Sequence, residues 1–341
     1  MEPIKNPPAA TRAFVLTDAN YALLLRPSGA GLSCWSGDSL SRWSGDPLRA
    51  DEGFLWYVCD LDDGSVWSPN AAPFARTDAD VTCSVGESVV SFERTVREIR
   101  TRLEIRVIGD VDVRCLTLEN ASPRNRRLQV TTYIELALCE ITAFAAHPGF
   151  RQLFVETEAE AASGLLFARR RPRGADEASL WCAHGLAGPG ELEYETDRAV
   201  FLGRGRDLRR PAAMHGHAWS GRTGSVLDPV FAQRRTVSLP PGGKAEFIGT
   251  LTAGATRAAV AGRALSAQSN DRVGSATALS ASSHSGQFGK AKIIDALVAN
   301  VIAADAAVPS SPPFTKHRYR PAVASQTEVA TLAPGDALHF D

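Results

Sequence analysis

Residues 102–107 read Arg-Leu-Glu-Ile-Arg-Val, with Leu103, Ile105 and Val107 alternating against Arg102, Glu104 and Arg106. A period of two places every apolar side chain on one face and every charge on the other, which only a half-buried β-strand can use. The pattern recurs in Val111-Asp112-Val113, in Leu116 to Asn120, and in Leu128, Val130 and Thr132 set against Gln129 and Thr131. Phe54–Cys59 and Val66–Trp67 flank Leu61-Asp62-Asp63-Gly64-Ser65, and Ala13–Thr17 and Tyr21–Leu25 flank Asp18-Ala19-Asn20; both read as hairpins. Leu153–Glu158, Leu165–Ala168 and Leu180–His184 add further strands, and Pro240-Pro241-Gly242-Gly243 turns the segment Arg234–Leu239 into Ala245–Leu251. Well over ten strands joined by polar turns predict an all-β, antiparallel sandwich of two large sheets.

The stretch from Tyr194 to Arg235 departs from this rhythm. Gly203-Arg204-Gly205-Arg206 makes poor helix and poor strand, since glycine loses much backbone freedom on folding and tolerates positive φ. It reads as a shaped surface loop displaying Arg204 and Arg206 between rigid strands, a common place for binding groups. A second unusual stretch, Cys34 to Trp56, holds Trp35, Trp43 and Trp56 with Arg42, Asp46, Arg49 and Asp51 interleaved. Aromatic faces beside charged hydrogen-bonding groups suit a sugar, although burial is the ordinary fate of a tryptophan.

Charge excludes some partners. With 37 basic and 38 acidic side chains the 341-residue chain carries a net charge of -1, which argues against nucleic acid; 44% apolar content suffices for a packed core. No apolar run is long enough to span a bilayer, and Met1–Pro8 lacks the layout of a signal peptide, so a cytoplasmic location is expected. Cys34, Cys59, Cys83, Cys115, Cys139 and Cys182 stand far apart without a Cys-x-x-Cys pair and read as buried thiols.

Other chemistry is weakly signalled. His215-Gly216-His217 has no carboxylate or cysteine at a matching offset, so no metal or other cofactor is expected. Cys182 and His184 share a strand face without an orienting third group, and read as a buried thiol beside a surface-tipped imidazole. Glu156 and Glu158 also share a face and read as a solvated pair.

Several runs carry a family resemblance: Ser41-Arg42-Trp43 with Asp46-Pro47 and Arg49, Asp60-Leu61-Asp62, His147-Pro148-x-Phe150-x-x-Leu153 to Glu158, Tyr194 to Arg198, Gly203 to Arg206, and Leu227-Asp228-Pro229. Over about residues 10 to 260 the chain resembles the N-terminal supersandwich domain of glycoside hydrolase family 94, formerly glycosyltransferase family 36, as found in cyclic β-1,2-glucan synthases and related disaccharide phosphorylases. The resemblance implies a galactose-mutarotase-like sandwich that in full-length members precedes an (α/α)6 barrel bearing the catalytic aspartate. It assigns no catalytic residue here. It implies a glucan or oligosaccharide, the absent barrel domain, or a second copy as partners, with Trp43, Arg49, Asp51, Arg198, Arg204 and Arg206 as the candidate contacts. Three readings stay open: a non-catalytic carbohydrate-associated module, a glucan-active transferase or phosphorylase in its own right, and a structural piece that self-associates.

The resemblance fades near Gly262, dividing the chain into a sandwich over 1–262 and a tail over 263–341. Ser266–Gly289 has the composition of a flexible segment, Lys290–Ala306 has helical spacing, and Pro309–Pro313 is a breaker cluster. A twelve-helix barrel needs about 130 residues before loops, more than remain, so a truncated or frameshifted gene product is expected.

Overall fold

The computed structural model describes residues 3–4, 13–46, 49–74, 81–86, 88–146, 148–172, 174, 179–271 and 338–339. The first strands are β1 Pro3–Ile4, β2 Phe14–Asp18, β3 Tyr21–Leu25, β4 Gly31–Trp35, β5 Asp38–Ser41, β6 Phe54–Asp60 and β7 Val66–Trp67. A long meander follows: β8 Thr82–Val85, β9 Val90–Val96, β10 Ile99–Ile108, β11 Val111–Asn120 and β12 Arg126–Glu140. After two short helices, α1 Ile141–Ala146 and α2 Pro148–Gln152, come β13 Val155–Glu160, β14 Leu165–Arg170, β15 Leu180–Ala187 and β16 Leu192–Asp197. Helix α3 Arg198–Leu202 and a 3-10 turn at Ala212–Met214 lead to β17 Pro229–Leu239 and β18 Lys244–Gly254, then α4 Arg257–Asp271 and β19 Leu338–His339.

Pairing sorts the strands into two antiparallel sheets. Sheet I runs β1-β8-β9-β10-β11-β18-β15-β14-β13, and sheet II runs β16-β17-β12-β5-β4-β3-β2-β19, with β6 also paired to β12 and β7 to β6. Strand β12 is the spine of sheet II. It pairs with β17 on one edge, and on the other with β6 over 128–134 and with β5 from Leu136 onward. The change of partner coincides with a register shift between Leu136 and Cys139 and with positive φ at Leu138.

The core lies between the sheets because alternation aims one face of each strand inward. Leu103 and Ile105 of β10 meet Leu116 and Leu118 of β11 and Leu128, Val130, Ile134 and Leu136 of β12 in one buried cluster. Each such side chain contributes about 1.5–3 kcal/mol by leaving water. Gly249 in β18 is required here: a Cβ would stand 2.6 Å from the Trp56 ring and 2.8 Å from Phe54 of the opposing sheet.

Both outer faces are partly covered. On sheet I, Val260 and Ala264 of α4 pack on Leu165, Phe167 and Ala183. Gln268 Nε2 donates to Thr250 Oγ1 at 3.3 Å, while Arg257 pairs with Glu158 and Glu160. The helix continues through Gly262, so Ser266–Asp271 is helical where its composition reads as flexible; packing of one face outweighs weak local propensity. The segments 272–337 and 340–341, including the expected helix at Lys290–Ala306, lie outside the described residues. On sheet II, Phe201, Leu202, Leu208 and Met214 cover Tyr57, Tyr133 and Val230. The 198–219 stretch is therefore a lid as well as a loop: its apolar residues are core, and Arg204 and Arg206 remain exposed.

Two polar tethers cross the interior. Arg114 on β11 binds Asp112 through Nε at 3.0 Å and Nη2 at 2.9 Å, and its Nη1 donates to the Phe54 carbonyl of sheet II at 2.8 Å. Both side chains are fully buried, and burial raises the Asp112 carboxyl above the ordinary carboxylate range against the opposing charge of Arg114. His184 on β15 forms the second. Its Nδ1 lies 2.9 Å from the Thr250 carbonyl, so that nitrogen carries the proton, and its Nε2 accepts from the Thr132 hydroxyl of sheet II at 2.9 Å. His184 is 0% exposed, which corrects the expectation of a surface-tipped imidazole: both of its bonds and its ring partners Phe54 and Phe231 are internal.

Burial lowers the His184 pKa to about 4 from an ordinary 6.5. The unfolded chain therefore binds this proton first, and the stability tied to the neutral ring is full above pH 6.5 and declines as pH falls toward 4. Urea unfolding should show about 3 kcal/mol less stability at pH 4 than at pH 7 from this group, and His184→Gln should lack that component. An identical pH profile for the two proteins would contradict it. Asp112→Ala, which strands the Arg114 charge, should cost about 3–5 kcal/mol in the same measurement.

Candidate functional site

Glu135 is the one acid in the otherwise apolar run Tyr133-Ile134-Glu135-Leu136-Ala137-Leu138. Because Ile134 and Leu136 point into the core, Tyr133 and Glu135 point to the outer face of sheet II, where three segments converge. From 41–52, Arg42 Nη1 reaches Glu135 Oε2 at 3.0 Å. From α3, Arg198 Nε reaches Oε1 at 2.7 Å, and Tyr133 donates its hydroxyl to the same oxygen at 2.9 Å. Arg198 also lies 3.5 Å from Asp228 Oδ2, while α2 supplies Gln152, whose Nε2 donates to Asp228 Oδ1 at 2.7 Å. Backbone bonds seal the junction: Arg42 N–H donates to the Glu135 carbonyl at 2.9 Å, and Arg198 N–H to the Asp228 carbonyl at 3.0 Å.

The electrostatics follow from the half-burial. Asp228 is held above the ordinary carboxylate range, first by burial and then by the neighbouring charge of Glu135, with Arg198 opposing both. Beside this network Arg49 Nε binds Asp51 Oδ1 at 2.9 Å. Burial pushes the Asp51 carboxyl up, but the hydrogen bond and charge of Arg49 outweigh it, and the group is held below its ordinary value. Glu52 is 4% exposed and raised by burial; Oε1 accepts from Ser44 N–H at 3.0 Å, and Oε2 has no hydrogen-bond partner.

The expected contact residues divide into three groups. Arg49, Asp51 and Arg198 lie on one polar rim, and the charge of Glu135 is felt at Arg49. Arg204 and Arg206 stand on the adjoining loop, exposed and without an ion pair among the described residues. Trp43 differs. It is 5% exposed, belongs to a core cluster with Leu24, Leu32 and Ile141, and lies beneath the Arg26 guanidinium, 4.4 Å from the ring centroid. Its ring supports the rim and has no open face for a sugar. The exposed apolar residues near the rim are Phe150 at 60%, Leu153 at 45% and Leu227 at 76%.

Glu135, Gln152 and Asp228 escaped the sequence reading as site residues. A single acid inside a buried apolar strand was the available signal, since it must find cationic partners or stay uncharged. Elsewhere the chemistry is closed. All six cysteines are buried and outside any disulfide, burial drives the Cys182 thiol upward, and among the described residues no group of three or more His, Cys, Asp or Glu could hold a metal ion. Among those residues no helix is long and apolar enough to cross a membrane.

Two face-to-face antiparallel sheets with a polar rim on one outer face define an all-β supersandwich. The family profile of the glycosyl hydrolase 94 supersandwich domain matches residues 4–270, and the chain belongs to that family. It is 30% identical over 241 residues to the cyclic β-(1,2)-glucan synthase NdvB of Rhizobium meliloti (strain 1021), covering 69% of this chain and 8% of that protein. It is 24% identical over 189 residues to the solabiose phosphorylase of Paenibacillus borealis, covering 55% of this chain and 24% of that protein. The chain thus spans a small part of the length of both relatives. Among solved structures it is similar to a galactose mutarotase-like protein from Clostridium acetobutylicum, at TM-score 0.40 and 8% identity over 75% of this chain and 99% of that one. A bacterial glucoamylase solved with acarbose matches at TM-score 0.43 and 12% identity, over 88% and 39%.

Glu135→Gln removes a charge that three donors share, and should destabilise the chain by about 1–3 kcal/mol in urea unfolding. Carboxyl NMR titration should show the Asp228 pKa falling in the variant, because the neighbouring charge that raises it most is gone. An unchanged or higher Asp228 pKa would contradict the electrostatic account.

Proposed function

We propose that this chain is a non-catalytic, carbohydrate-associated sandwich of a glucan-active family 94 system, with Arg49, Asp51 and Arg198 contacting a β-linked glucan. The observation that carries this reading is the half-exposed rim itself. Arg198, Arg49 and Asp51 side chains are 32%, 40% and 30% accessible; Arg198 is oriented by Glu135 behind it, and Arg49 and Asp51 by their bond to each other. Fixed planar donors and acceptors suit sugar hydroxyls, and their preorganisation limits the entropy lost on binding. The name of the glucan synthase relative supports a glucan as the ligand class.

Non-catalysis is supported by how the acids are spent. Glu135 serves two arginines and a tyrosine, Asp228 serves Gln152 and Arg198, and the Cys182 and His184 pair has no path to a substrate. A structural reading is favoured by one feature, the exposed trio Phe150, Leu153 and Leu227, whose composition suits contact with another protein surface.

Incubation of the purified chain with β-1,2-glucan and inorganic phosphate should release no sugar phosphate, while calorimetry detects weak glucan binding. Arg198→Ala should weaken that binding about tenfold, the worth of one charge-assisted hydrogen bond, and Asp51→Asn should weaken it with only a small drop in unfolding midpoint, since its pair with Arg49 is half exposed. Turnover by the chain alone would overturn the non-catalytic reading, and the absence of glucan binding would leave the structural one.

A further inference from the structure

The segment 203–222 contains five arginines, one aspartate, and no lysine or glutamate, a net charge of +4 in a chain whose total is -1. Arg204, Arg206, Arg209, Arg210 and Arg222 are all exposed. Among the described residues none of the five guanidinium groups forms an ion pair, whereas Arg42, Arg102, Arg114, Arg126 and Arg169 all do. The one acid of the segment does not neutralise them through its nearest oxygen. Asp207 Oδ1 is taken by the backbone N–H groups of Arg209 and Arg210, at 2.9 and 3.2 Å.

The loop is anchored to the lid beneath it. Gly203 and Gly205 hold φ at 76° and 71°, a region that favours glycine. Leu208, 3% exposed, is buried among Tyr57, Phe201 and Met214, and its carbonyl accepts the Tyr57 hydroxyl at 2.9 Å. Four arginines therefore radiate from an eight-residue loop pinned at its centre. Trp219, packed against Phe201 and beneath Arg234, lies in the same cluster and is partly open to solvent.

We propose that this arginine loop docks a carboxylate-rich face of a protein partner. Charge complementarity is the first argument, since a patch of net charge +4 whose guanidinium groups form no ion pair among the described residues favours an anionic surface. Residue type is the second: arginine forks bind carboxylates in two-point geometry, and protein interfaces enrich arginine and aromatic residues while depleting lysine. The loop adjoins the rim, and the charge of Arg209 is felt at Asp51, but none of its five arginines is among the proposed glucan contacts, so the proposal does not depend on glucan binding there.

The test uses poly-L-glutamate as the probe, with the whole chain at about 50 mM salt, where exposed charges are weakly screened. Calorimetry should show binding that weakens steeply with added salt. The double variant Arg204→Glu with Arg206→Glu should bind at least about tenfold more weakly, and Arg204→Lys with Arg206→Lys, which keeps charge and loses the fork, should lose a few-fold. Arg102→Glu on sheet I, whose arginine is already paired with Glu104, should bind as the parent does. No binding by the parent chain, or equal binding by the charge-reversed pair with an unchanged unfolding midpoint, would overturn the proposal. So would tighter association with phosphatidylglycerol vesicles than with polyglutamate, which would assign the loop to an anionic membrane surface.

Discussion

Strand β12 imposes the constraint on which the rest depends. Its fifteen residues are buried along nearly their whole length, so both faces are committed at once. Leu128, Val130, Thr132, Ile134 and Leu136 face the opposing sheet, while Tyr133 and Glu135 face the lid formed by 198–219 and the polar rim. A one-residue slip would exchange these sets, placing Glu135 in the apolar core and Ile134 among arginines. The register that builds the core is thus the register that presents the acid, and core and site cannot vary independently.

Charge is handled differently at three depths. Arg114 with Asp112 and the neutral His184 tie the sheets together where water is absent, at the cost of an acid held above its ordinary range and a base held below it. At half depth, Glu135 and Asp228 share Arg198 and orient it. At the surface, paired ladders such as Arg102 with Glu93 and Glu104 cover sheet I and contribute little to stability, being well solvated. The 203–222 arginines break this habit of pairing.

Much of the fold was legible because period two survives wherever one face is wet. Leu103, Ile105 and Val107 declared β10, and Asp18-Ala19-Asn20 and Pro240–Gly243 marked turns that the structure contains. The reading weakened where both faces are covered. Phe54–Asp60 shows no alternation because every residue is buried, and was read as a strand only through the Asp-Gly turn that pairs it with Val66–Trp67, whereas α4 was missed from Ser266 because its helicity rests on Val260, Ala264 and Gln268 packing on a sheet. For the site, spacing along the chain pointed to Arg49, Asp51 and Arg198. Their organiser was invisible, since Glu135 meets Arg42 and Arg198 only when strands far apart in sequence pair. Trp43 is buried in a core cluster, the ordinary use of a large ring.

The account reduces to an all-β family 94 sandwich whose outer rim is ordered by ion pairs, and whose proposed use is contact with hydroxyl-rich ligands. The most direct measurement is a backbone and carboxyl NMR titration of the chain with β-1,2-linked gluco-oligosaccharides. The account predicts shifts concentrated at Arg49, Asp51, Glu135, Arg198 and Asp228, with the interior pair Arg114 and His184 still. Shifts confined to another surface, or none at saturating sugar, would contradict it.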